Sequence, residues 1–359
     1  MPRWCWLGST LLLLACGSPA PPAYARETKQ AEEARRRGQH LAAAEHYQRA
    51  ASAAEKPRDA EEARYRAADS YARAGSPERA ATIYRELAAQ GPDAARRARA
   101  DFALAELELD QGREREGHTL LAAAIRRHPS SGLAARALRT HLQYLRAQGG
   151  PDAVLDYLAV QRQSLHRSEL AEALEYLRAR ELDDAGRSAE ARDAYLACAS
   201  RFPYPSGAYW DDALYRAAEK ELALGAPQRA LGHLQRLLSE QEAAAITGSY
   251  QRARYAEGQL LIARIYRDTL HDPERARAEL RKVWLNHPTS RLVDDALFQE
   301  ATLARQTGDE AGSCAPLQII VRELKDSRYA PCAHLLCPRL VALPGRDCHD
   351  YIKREAGLP

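Results

Sequence analysis

Among the 359 residues of this chain, those with chemistry beyond packing are its cysteines, its histidines and three tandem aspartates. Cys314, Cys332, Cys337 and Cys348 stand together near the C-terminal end. In an oxidising compartment four such thiols form two disulfides, and three connectivities are open to them. His334 and His349 lie among them and make zinc the rival reading, but Cys332-x-His334-x2-Cys337 is not a spacing that zinc sites use. Cys198 stands apart and reads as a buried, apolar thiol. Asp183-Asp184, Asp211-Asp212 and Asp294-Asp295 read as solvated carboxylates, the last two pairs at helix starts, where the macrodipole favours negative charge. The chain carries no phosphate-cradling glycine loop, dinucleotide fingerprint, hydrolase elbow or zinc-protease helix. The expectation is therefore a chain that is not an enzyme, with no catalytic residue, no cofactor and no metal.

The elements that position these residues must be helices. Alanine, leucine, arginine and glutamate lose little entropy in a helix. Aromatic residues make up only 7% of the chain, with three Phe and one Met. Strand-like runs of Val, Ile and Thr are missing. A formal charge of +3 with 28% charged residues excludes a general nucleic-acid binder.

A ladder runs through the sequence. Gly38, Gly75, Gly112, Gly149 and Gly186 follow one another at steps of 37; Gly225 comes 39 later, and Gly308 and Gly345 are again 37 apart. Between them His271 takes the glycine's place, because His271-Asp272-Pro273-Glu274-Arg275-Ala276 aligns with Gly75-Ser76-Pro77-Glu78-Arg79-Ala80. Seven residues before the marker stand Ala31, Ala68, Ala105, Leu142, Ala179, Ala218 and Ala301, with Arg264 as the exception. Five after it come Ala43, Ala80, Gly117, Val154, Ala191, Ala230, Ala276 and Ser313, and nine after it Tyr47, Tyr84, Leu121, Leu158, Tyr195, Leu234, Leu280 and Leu317. A small and a large residue four apart share one helical face. Each period is thus a pair of helices, A and B, joined at the glycine and closed by Pro92, Pro129, Pro203 or Pro288. Ser130 or Ser131, Ser206, and Thr289 or Ser290 are placed to cap the next helix A. The 46-residue step from Gly225 to His271 puts nine extra residues near 240–249.

This small-x3-large grammar with its turn glycine and closing proline resembles the tetratricopeptide repeat, lengthened here from about 34 residues. The resemblance implies an all-α, helix-pair solenoid (a right-handed superhelix) of about eight repeats. The proline-serine linkers look like the periplasmic branch of that family. That branch includes the lipoprotein subunit of the β-barrel assembly machinery and a coordinator of peptidoglycan synthesis with outer-membrane constriction. The implied partner is a protein or peptide held in the concave groove. Taking the positions thirteen, ten and six before each marker, that groove would be lined by Tyr65, Asp69, Phe102, Arg136, Arg139, Tyr176, Arg180, Tyr215, Glu219 and Phe298. The alternative for the aromatic members is packing against the next helix A.

At the start of the chain a basic residue, a ten-residue apolar stretch and Leu13-Leu14-Ala15-Cys16-Gly17 resemble a lipoprotein leader. That resemblance implies cleavage before Cys16, acylation of Cys16, and an outer-membrane anchor facing the periplasm. Cleavage after Ala23-Tyr24-Ala25, releasing a soluble periplasmic protein, is the alternative. The expected organisation is a leader over 1–15, a Pro-rich tether over 16–26, a helical array over 27–309, and a terminal repeat with a cysteine-containing cap over 310–359. A binding scaffold in envelope assembly is the leading expectation; an accessory subunit of a peptidoglycan-processing system is the runner-up.

Overall fold

The structure, a computed structural model, describes residues 20–91, 93–240 and 252–357. Cys16 and the leader, Pro92 and almost all of the insertion expected at 240–249 lie outside the described residues. Every regular element among the described residues is helical. The chain divides into two compact units, Met1–Ala147 and Gln148–Pro359, where the ladder predicts one uninterrupted array.

The first unit stacks α1 (Pro22–Arg36), α2 (His40–Ala53), α3 (Pro57–Arg73), α4 (Pro77–Gln90), α5 (Ala94–Asp110) and α6 (Glu114–Arg127), followed by the first stretch of α7 (Ala134–Ser164). Helix α1 begins inside the stretch read as a tether, so 22–26 are helical and not extended. Pro22 at the first helical position is the local cause, since its fixed φ suits that site and its missing N–H is not needed there. The second unit takes the rest of α7, then α8 (Ala171–Asp184), α9 (Ser188–Arg201), α10 (Trp210–Ala223), α11 (Pro227–Ser239), α12 (Arg254–Arg264), α13 (Pro273–Asn286), α14 (Val293–Gln306) and α15 (Glu310–Glu323). Consecutive helices pack against one another as A and B partners in each unit. The ladder's small residues are where they meet: Ala31, Ala43, Ala68, Ala80, Ala105, Ala179, Ala191, Ala218, Ala230, Ala276 and Ala301 have no exposed surface. Enlarging any of them overpacks a closed interface, which typically costs about 1–3 kcal/mol.

The turn between A and B has one repeated geometry. The residue after the glycine returns its N–H to the carbonyl five positions back: Gln39 to Ala34, Ser76 to Tyr71, Arg113 to Glu108, Arg187 to Leu182, Ala226 to Glu221 and Asp309 to Ala304. This six-to-one bond needs a left-handed residue between, and Gly38, Gly75, Gly112, Gly186, Gly225 and Gly308 all have φ between 72° and 80°. In α7 the register differs by one. Gly149 has φ −141° and Gly150 supplies the positive φ of 68°.

His271 is the one non-glycine residue with positive φ, 53°, among the described residues. Before it, α12 widens into a π-helical turn, Ile265–Thr269, and the closing bond runs from Asp272 N–H to the Tyr266 carbonyl, six positions back. A π turn adds one residue to a helix. That single extra residue explains the Arg264 exception, because the buried alanine at this step is Ala263, one place earlier. The left-handed conformation costs an L-residue about 1–2 kcal/mol. His271→Gly is therefore expected to raise the urea midpoint by up to about 1 kcal/mol equivalent, after the glycine's own entropy cost is subtracted. Gly75→Ala should lower it by about 1–2 kcal/mol. A Cβ at Gly75 would meet nothing within 4 Å, so the second effect isolates the backbone.

Serines ahead of the A helices act one turn earlier than a cap. Ser131, Ser168, Ser290 and Ser327 each accept the N–H two residues on. Ser206 instead donates to the Pro203 carbonyl.

At the end of the second unit the next helix A is cut to a 3₁₀ turn, Ala330–Cys332, and the four-residue α16 (Ala333–Leu336). A short α17 (Asp350–Glu355) follows. Disulfides Cys314–Cys337 and Cys332–Cys348 fasten these stubs to α15 and to each other, with S–S 2.01 and 2.05 Å. Cys198 is a free thiol without exposed surface, its pKa pushed up to about 12 by burial.

Candidate functional site

Opposite charges one repeat apart bridge successive A helices. Arg99 on α5 reaches Glu62 on α3 at 3.0 Å and lies 3.7 Å over the Tyr65 ring. In the second unit Lys220 on α10 pairs with Asp183 on α8. Asp212 on α10 accepts from the Tyr176 hydroxyl, from Arg216 at 2.8 Å and from Arg254 on α12 at 2.5 Å. Burial alone would raise the Asp212 pKa; the hydrogen bonds from Tyr176 and Arg216 outweigh it and hold the carboxyl below its usual range. Near the cap, Asp295 accepts from Arg328 and from the Tyr329 hydroxyl, both at 2.5 Å, and Asp294 accepts from Ser327 at 2.8 Å. Of the tandem aspartates expected to be solvated, Asp183, Asp212, Asp294 and Asp295 are thus rivets between repeat units, while Asp184 is exposed. The missed signal was opposite charge at i and i+37, as in Glu62/Arg99 and Asp183/Lys220.

The aromatic groove residues belong to the same packing. Phe102, Tyr176, Tyr215 and Phe298 are 2, 7, 7 and 5% exposed. Phe298 stacks on Tyr329 at 4.3 Å, Tyr176 on Tyr209 at 4.3 Å, and Arg254 covers Tyr215 at 4.8 Å. Tyr176, Tyr215 and Phe298 each pack against a neighbour and are not free contact anchors, while Phe102 is buried with its ring 6.5 Å from that of His128. Tyr65 is half-buried under Arg99. Asp69 is taken by Arg73 at 3.0 Å. Of the remaining predicted lining residues, Arg136, Arg139 and Arg180 are exposed and Glu219 is half-buried.

The step from α5 to α7 lacks such a bridge. Position for position, Arg136 on α7 follows Arg99 on α5, so a like charge stands where a partner is needed, and Arg139 replaces the ring found at Phe102. Between α5 and the first stretch of α7 the A-helix face accordingly opens into a cleft of about 370 Å³. Its apolar lining is Phe102, Leu109, Leu121 on α6, Leu133 and Ala137, and Thr140 adds a hydroxyl on the α7 side. Glu106 and Asp110 stand on the α5 wall and Arg136 on the α7 wall. All three are exposed, and among the described residues none forms an ion pair, in contrast to every bridged step above. The volume lies at the lower end of the about 300–1,000 Å³ of ligand-binding clefts.

The α7 wall is held from behind by a histidine cluster that sequence reasoning did not single out. His118 on α6 stacks on Tyr144 of α7 with centroids 3.9 Å apart, and His141 lies 5.5 Å from His118. Burial depresses the His118 pKa against the nearby charge of Glu114. Burial, then His118 and Arg126, push His141 down to about 4. Among the described residues no group of three or more His, Cys, Asp or Glu is placed to hold a metal ion. No described helix is long and apolar enough to cross a membrane.

A tetratricopeptide-repeat family model matches residues 62–94, which hold most of the α3–α4 pair. Among solved structures, the C-terminal part of a TPR repeat-containing protein from Cytophaga hutchinsonii aligns over 75% of this chain and 99% of its own, with TM-score 0.44 and 13% identity. A tetratricopeptide repeat protein from Parabacteroides merdae aligns over 72% of this chain and 91% of its own, with TM-score 0.31 and 14% identity. No curated protein matches the chain. The matched pair and the repetition of its turn and interface geometry make this an all-α, tetratricopeptide-like helix-pair fold, an architecture that presents extended binding surfaces.

Proposed function

We propose that this chain is a non-catalytic scaffold that holds a segment of a protein partner at the α5–α7 cleft, and that it works in a bacterial cell envelope, anchored through a lipid on Cys16 at the periplasmic face of the outer membrane. The observation that carries the binding role is the cleft itself. It is a recess of mixed apolar and polar lining, flanked by unpaired charges of both signs, on a face where the α3–α5, α8–α10 and α10–α12 steps are closed by bridges. Unpaired rim charges steer and select partners more than they stabilise a fold. Two disulfides in one cap support an oxidising compartment. The leader-like run ending at Cys16 supports the anchor, and several acyl chains give stable attachment where one is marginal.

A photo-crosslinking side chain placed at Arg139, beside the cleft, tests the binding role in intact envelopes. A discrete protein adduct is expected there, absent from a control probe at Leu41 on α2 and weakened by Arg136→Glu. Identical adduct patterns at the two positions would remove the cleft from the function. For the anchor, Cys16→Ser should move the chain from the membrane to the soluble fraction; unchanged fractionation and an unacylated mass for the wild-type chain would overturn it.

A further inference from the structure

We infer that the cleft between α5 and α7 selects a zwitterionic amphipathic segment: one large apolar side chain carried between a basic residue, which meets Glu106 and Asp110, and an acidic residue, which meets Arg136. This rests on the cleft being a partner site and adds the partner's chemistry. Charge complementarity fixes it. Opposite charges line the two walls but stay apart, so the cheapest way to satisfy both is a ligand that supplies the two missing counter-charges in the reverse order. A uniformly acidic ligand would face the α5 carboxylates, and a uniformly basic one would face Arg136, so single-sign polymers are rejected by like charge. Half-buried Leu109 and exposed Leu133 offer the apolar contact for the anchor, in a cleft of about 370 Å³ with room for one large side chain.

The order of charges makes the inference testable without knowing the natural partner. The full chain and a charge-inverted variant, Glu106→Lys, Asp110→Lys and Arg136→Glu, are each panned against a phage-displayed library of random dodecamers. All three positions are exposed, and matching circular dichroism and urea midpoints would certify the fold of the variant. The wild-type chain is expected to enrich peptides with an acid and a base on opposite sides of Leu, Phe or Trp. The variant should enrich the reversed order, and each selected peptide should lose tenfold or more in affinity on the wrong protein. Peptides of one net sign, or peptides indifferent to the inversion, would overturn the inference. If such indifferent peptides still compete with the adduct formed at position 139, the scaffold role survives and only the partner chemistry fails. If the adduct at position 139 is itself absent, the scaffold role fails with it.

Discussion

Replacing Cys314 and Cys337 by serine is expected to lower the unfolding free energy of the C-terminal cap by about 3 kcal/mol, and replacing Cys332 and Cys348 to do the same. The bridges close loops of 23 and 16 residues, and cross-linking loops of that size removes roughly this much chain entropy from the unfolded state. Ser327, Arg328 and Tyr329 tie the start of the cap to α14, but its own helices are too short to hold their shape alone. The 3₁₀ turn has three residues, α16 four and α17 six, far below the about 12–15 residues at which an isolated helix becomes even marginal. Apolar burial of Leu336, Ile352 and Ala333 against α14 and α15 contributes only once those stubs are in place. Hydrogen exchange followed by mass spectrometry reads this directly. Residues 324–357 should exchange much faster in the serine variants while α10 and α11 keep their protection. Unchanged protection of the cap in both double variants would mean that packing alone suffices and that the bridges are incidental.

Acid should loosen the α6–α7 end of the first unit before it reaches the ion pairs. His141 takes up its proton near pH 4 in the folded chain but near its ordinary 6.5 when unfolded. Between those values the unfolded state holds the extra proton, so stability falls as pH falls through the window. The loss amounts to about 3 kcal/mol at most by the end of the window, since each unit is worth about 1.4 kcal/mol. His118, depressed by burial, acts in the same direction. The carboxylates respond later. Glu27, held below its ordinary 4.5 by His46 and Arg49, and Glu32, held down by Tyr47 and Arg35, lose their contributions as pH falls past that value. Protection of residues 114–147 should therefore decline between pH 6.5 and 4, ahead of α1 to α3. His141→Phe, which keeps an aromatic ring beside Tyr144, should flatten that decline to what His118 alone leaves. Equal slopes in wild type and variant would show that the histidines do not control it. Because the same α7 stretch carries Arg136, binding at the cleft should weaken over the same window.

The bearing of residue pattern on structure differs from element to element. Helix pairs, their turn glycines and their alanine interfaces were readable because they obey local rules: a left-handed turn admits glycine, and a close helix crossing admits alanine. Even the substitution of His271 for a turn glycine could be aligned by its neighbours. The π turn before it could not, because one extra residue in a helix changes no composition and only shifts which alanine is buried. The tyrosines and phenylalanines of the A-helix face were ambiguous for a different reason. A ring ten residues before a marker faces either a partner or the next helix, and only the packed structure separates Tyr176, Tyr215 and Phe298, which lie against neighbours, from Phe102, which lines the cleft.

By itself, then, the sequence determined that this chain is an all-α array of paired helices with four cysteines gathered at its end, since those properties follow from periodicity and conformational preference along one strand of residues. The tertiary structure decided which cysteines join, which carboxylates are rivets and where the A-helix face stays open. Those outcomes depend on distances between residues a repeat apart, where the sign of one side chain, Arg99 followed by Arg136, sets whether two helices close on each other or leave a cleft.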